Sequence, residues 1–113
     1  MVVGVCRVTL MVPESHSLKE KRMVLRRIKD RTRNKFNVAI AEVGDNDAWQ
    51  SSQIGFAIVA NERGFVESVV SRVLSFIESL AVAKITDDEK DFIVYGDEGL
   101  SSGDEWSHWE PKE

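Results

Sequence analysis

At 113 residues and 12.8 kDa the chain is sized for a single domain with its own core. A composition of 42% hydrophobic and 30% charged residues, with 7 Gly and 2 Pro, excludes a disordered, collagen-like or low-complexity chain. No apolar run approaches the ~20 residues of a membrane span, and no basic stretch precedes the apolar N-terminal residues as it would in a secretory leader. The single cysteine, Cys6, cannot close an internal disulfide. A reducing, cytoplasmic location with no membrane partner is therefore expected. The net charge of −4 conceals a strong asymmetry. Residues 19–35 hold nine bases against two acids, whereas residues 86–113 hold ten acids against two bases. A basic block and an acidic tail on one small domain point to a polyanionic partner, or to a tail that covers the block.

In chain order, Val2 to Val12 alternate with a period of two and read as a strand. Its even-numbered residues are the more uniformly apolar and should face the core. Val3, Val5 and Met11 then lie on the other face and are too apolar for a fully wet surface. Pro13 to His16 end the strand. Ser17-Leu18-Lys19-Glu20 is a capping box that opens a helix. At 100° per residue, Leu18, Leu25, Ile28 and Thr32 share one stripe, with Val24 at its edge. Lys19, Arg22, Arg26 and Arg33 occupy one polar flank, and Arg27 and Arg31 the other. Lys21 falls inside the apolar stripe, where it is expected to overhang the sheet edge and snorkel to water.

Phe36 to Val43 reads as a second strand, Gly44 to Asp47 as a turn, and Ser51 to Ala60 as a third strand. These should form an antiparallel hairpin with Trp49 near its tip, either as an exposed contact anchor or folded back over the sheet. Asn61 is a plausible N-cap for a second helix, whose apolar face is Val66, Val69, Val70, Val73, Ile77 and Leu80. A fourth strand falls within Val82 to Tyr95, its acids at Asp87–Asp91 marking a break or a solvent-facing hairpin. The order strand–helix–strand–strand–helix–strand is the split βαβ pattern of the ferredoxin-like α+β sandwich. Residues 1–95 form that domain, and residues 96–113 an acidic tail carrying Trp106 and Trp109. Two indoles three residues apart suit docking on apolar surface better than mere solubility.

Ser17-Leu18-Lys19-Glu20-Lys21-Arg22, Lys35-Phe36-Asn37-Val38, Ala41-Glu42-Val43-Gly44 and Asp47-Ala48-Trp49-Gln50 stand in an order that resembles the YlxP-like family of small bacterial proteins. The resemblance covers about residues 1–95 and implies the same ferredoxin-like fold. Members often sit among genes for translation initiation and ribosome maturation, which implies a role near RNA or the ribosome.

The basic helix is the strongest chemical signal. Lys19, Lys21, Arg22, Arg26, Arg27, Arg31 and Arg33 are candidates for nucleic-acid or anion binding, since cations on one rigid face release counterions from a phosphate backbone. The competing account is an ordinary solvated or tail-covered helix face. Val3, Val5, Met11 and Trp49 are candidates for protein contact, including a homodimer or higher oligomer built on the open sheet face. His16 and His108 have no metal-ligand spacing with each other or with Cys6, so no metal or cofactor is expected. Cys6 reads as a small core residue. Glu42 is a lone strand acid without a catalytic partner. No phosphate loop, nucleophile elbow or carboxylate pair appears, so an enzyme is disfavoured.

Overall fold

The computed structural model describes residues 1–13, 16–44 and 48–96. The turn residues Asp45, Asn46 and Asp47 and the tail with Trp106, His108 and Trp109 lie outside the described residues. The elements follow the order β1 (Val2–Met11), α1 (Leu18–Lys35), β2 (Ala39–Gly44), β3 (Ser51–Ala60), α2 (Arg63–Ser79) and β4 (Lys84–Val94). The sheet is four-stranded and antiparallel, in the order β2-β3-β1-β4. It has both helices on one face and is a ferredoxin-like sandwich.

The alternation in β1 sorts as its sequence requires. Val2, Gly4, Cys6, Val8 and Leu10 are buried against the helices, while Val5, Arg7 and Met11 are exposed. Across the sheet they meet Ile54, Phe56 and Ile58 of β3 and Ile40 of β2. Val66, Val69, Val70, Val73 and Ile77 close the core from α2. α2 lies beneath β3, β1 and β4, whereas α1 lies beneath β2 and alongside α2. α2 comes close to β1 at Gly4, where a Cβ would stand 2.5 Å from Val66 Cγ1.

Both caps of α1 are side-chain or backbone devices. Ser17 Oγ accepts from the Glu20 N–H at 3.2 Å, and Glu20 Oε1 accepts from the His16 N–H at 2.7 Å. The carboxylate thus reaches one residue further back than in the usual capping box. At the other end the Phe36 N–H donates to Thr32 O, and the Phe36 ring meets the edge of Phe76 with centroids 5.6 Å apart. That packing holds Phe36 outside the sheet, so β2 starts at Ala39 rather than at Phe36. α2 is capped by Glu62, not by Asn61, and the Glu62 side chain makes no capping bond.

The acids Asp87–Asp91 neither break β4 nor form a separate hairpin. They sit on a continuous edge strand that pairs with β1 over its whole length. One irregularity interrupts it: Thr9 pairs with Asp87 and Leu10 with Ile85, so Thr86 is an extra, bulged residue. Ile85 before the bulge and Phe92 after it both face the helices although one is odd and the other even.

Candidate nucleic-acid interface and the open sheet face

The flank of α1 that carries Arg22, Arg26, Lys29 and Arg33 is a ridge spaced i, i+4, i+7, i+11 along the helix. Arg33 locates it, because its guanidinium donates to the Ile40 carbonyl at 3.0 Å as well as approaching Asp30 at 3.4 Å. The ridge therefore runs beside β2, an edge strand of the sheet. Arg33 fills an acceptor that an edge strand would otherwise leave open, and so it holds the fold as well as carrying charge.

Arg22, Arg26, Arg27 and Arg31 are exposed and, among the described residues, make no salt bridge. Lys19 is exposed at the N-terminal end of the same flank. On the opposite flank, Arg27 lines a hollow of about 650 Å³ with Val12, Met23, Val24 and Val82. Lys35, at the helix end, sits 5.3 Å over the Phe76 ring.

Lys21 departs from expectation. Its side chain is 0% exposed and does not snorkel. Its ammonium donates to Ser51 O at 3.2 Å and lies 3.8 Å from Glu42 Oε2, which also accepts from Ser52 Oγ at 3.0 Å. Lys21 is thus withdrawn from any phosphate-facing set. A cation so buried must be paired and hydrogen-bonded, and the β2–β3 hairpin supplies both partners. The role of Glu42, whose side chain is 22% exposed, is to answer that charge. The signal for it was the lysine in an apolar stripe, joined to the one acid embedded in a strand pattern.

Cys6 is buried, as its place on the core face implied. Burial pushes its thiol up to about 11, with Asp88 adding to the rise and Lys90 opposing it. Such a thiol is inert as a nucleophile at neutral pH.

The face of the sheet away from the helices is open. Cross-strand pairs share a face, so the register aligns Val59-Val3-Ile93 in one row. The next rows are Ala39-Ala57-Val5-Asp91 and Ala41-Gly55-Arg7-Glu89, and Thr9 stands beside Asp87. Val5, Met11, Val59 and Ile93 are exposed, and Val3 is half-buried. Trp49 stands 58% exposed just ahead of β3 and does not fold back over the sheet. Arg7 pairs with Glu89 on this face. Where β2 and β3 carry Ala39, Ala41, Gly55 and Ala57, the short side chains leave a trough of about 700 Å³ walled by Val5 and Val43. Among the described residues no cluster of side chains is arranged to hold a metal ion, and no helix is long and apolar enough to cross a membrane.

Comparison with known proteins agrees with this architecture. A de novo designed protein with ferredoxin fold, LFR1 1, superposes with a TM-score of 0.50 at 14% identity, covering 89% of this chain and 91% of that one. The de novo designed protein Foldit4 gives a TM-score of 0.49 at 15% identity over 85% of this chain and 100% of that one. The uncharacterized protein YlxP of Bacillus subtilis (strain 168) is 44% identical over 78 residues, which cover 69% of this chain and 85% of YlxP. Residues 3–90 match the family described as "Protein of unknown function (DUF503)". The chain therefore belongs to the DUF503 family, with YlxP among its relatives.

Proposed function

We propose that this protein is a non-enzymatic binding module that engages RNA, alone or in a ribosomal complex, through α1. The observation that carries the reading is the set Arg22, Arg26, Arg27 and Arg31. These are four exposed guanidinium groups on one rigid helix that make no salt bridge among the described residues. Guanidinium is the cation suited to bidentate phosphate contact, and a helix holds several at fixed spacing without an ordering cost at binding. The absence of aromatic residues from α1 and from the open-face positions of β1 and β3 favours backbone contact over base stacking.

Fluorescence anisotropy with a structured RNA over a salt series tests this. Four phosphate contacts should make log K fall against log salt with a slope of about −3 to −4. The double variant Arg22→Glu/Arg26→Glu should lose about half of that slope or more while keeping its circular dichroism. No affinity at low salt, or affinity indifferent to salt, would refute the reading.

Self-association through the open sheet face is the weaker reading. Val5, Val59 and Ile93 favour it. However, two such faces related by a two-fold axis would set the acids of β4 against each other or against the partner's Ala39 and Ala41. Either arrangement desolvates carboxylates without a partner.

A further inference from the structure

We propose that the open sheet face is a docking surface for a basic amphipathic α-helix of a protein partner, its apolar stripe in the trough over Gly55 and Ala57 and its cations toward β4. The proposal is independent of what α1 binds.

The floor of this face is apolar and has a shape. Val5, Val59 and Ile93 are exposed on it, and the trough of about 700 Å³ runs beside them. Val43 of β2 and Val5 of β1 wall the trough, and β3 lies between those two strands. The walls therefore stand two strand spacings apart, or about 10 Å. A helix with its side chains is about 10–12 Å across, so one stripe of it settles between them.

Backbone chemistry selects a helix over an extended segment. A strand laid across the face, rather than along an edge, would press its amide and carbonyl groups onto apolar side chains without partners. A helix bonds those groups within itself and offers only side chains.

Charge selects a basic helix. Glu89 and Asp91 border the trough, and Asp87 stands further along the same face. Arg7 answers Glu89, whereas Asp87 and Asp91 make no ion pair among the described residues. These carboxylates repel a nucleic acid, and they repel residues 97–113, which hold six acids against Lys112. A second copy laid face to face would leave them unpaired. A second copy's α1 is basic, but its apolar stripe, with Leu25 and Ile28, is already buried in its own core. A separate protein that carries an apolar stripe beside a row of lysine or arginine satisfies floor and rim together.

The probe is a fluorescein-labelled helical peptide of leucine and lysine, about 18 residues long, with leucine on one stripe and lysine on its flanks. A control peptide carries glutamate in place of every lysine. Anisotropy with the full-length protein at low salt should show saturable binding of the lysine peptide and none of the control. Ala57→Arg fills the trough and opposes the cations, and should weaken binding roughly tenfold or more. Ala41→Arg repeats that test on the edge strand, where folding is least at stake, and circular dichroism confirms the fold of each variant. Asp87→Lys/Asp91→Lys should transfer binding to the glutamate peptide. On titration with the lysine peptide, amide shifts should fall on Val5, Gly55 and Ala57 and leave α1 unmoved. No saturable binding, equal binding of both peptides, or affinity unchanged in both arginine variants would overturn the proposal. So would shifts concentrated on another face. A dimer in sedimentation that the peptide dissociates would assign the face to a second copy and overturn it as well.

Discussion

Lys21 illustrates how far one residue can be read. Its place in the apolar stripe of α1 is visible in the sequence, and so is the oddity of it. Its partners are not, because Glu42 and Ser51 come into reach only when the hairpin folds back under the first turn of the helix. Removing one member of a buried pair leaves the other desolvated, whereas removing both can be nearly neutral. Lys21→Met should therefore cost about 3 kcal/mol in urea unfolding. Lys21→Met/Glu42→Leu should recover most of it, and failure of that recovery would mean Lys21 acts through packing alone. Cys6 makes a second prediction with a definite sign. Its folded thiol is raised to about 11, above its unfolded value. The folded state therefore holds its proton while the unfolded state loses it. The contribution is complete below the unfolded value and disappears as pH climbs through the folded one. Stability should fall by on the order of 2 kcal/mol between about pH 9 and pH 11. Cys6→Ala should remove that part of the slope, measured by denaturation at successive pH values.

At the scale of elements, the two helices, β1 and β3 were legible because each carries one uninterrupted period, as in Val66-Val69-Val70-Val73-Ile77, while β2 was expected from Phe36 and carries a register shift at Val43. β4 lies within the Val82 to Tyr95 span expected for it, but its faces were not legible, because its period changes phase at Thr86 and no fixed alternation fits Ile85 and Phe92 together. The N-cap of α2 was misplaced by one residue because Asn61 has the better capping chemistry, yet the chain turns into the helix at Glu62. The basic flank of α1 was read correctly as a row, but its sequence does not say that Arg33 is tied to Ile40. That tie is why Arg33 is a poor probe of binding. The contact between α2 and β1 yields a sharper test. Val66 is fully buried and cannot yield to a methyl group on Gly4. Gly4→Ala should destabilise by about 1–3 kcal/mol through overpacking. Gly4→Ala/Val66→Ala should be less than the sum of its parts in a double-mutant cycle.

Across the whole molecule the charges are separated. The α1 ridge lies beside β2, and the acids of β4 line the opposite edge, about 14 Å away across three strand spacings. That distance exceeds the screening length of about 8 Å at physiological salt and falls well within the ~30 Å of dilute buffer. Asp87→Asn/Asp91→Asn should therefore tighten polyanion binding at 0.01 M salt and leave it unchanged at 0.15 M, as read by anisotropy. An equal gain at both would place the acids in contact with the ligand. The face of that edge on which each acid stands depends on the single bulged residue in β4. Thr86 acts on the strand as an inserted base acts on a reading frame, since everything after it is decoded on the other face. Were Thr86 instead paired opposite Thr9 without a bulge, Asp87, Glu89 and Asp91 would turn toward the helices and Phe92 toward water, whereas deleting it would leave Asp87 opposite Thr9 and every face unchanged. The bulging of one residue thus sets the address of every acid on that edge.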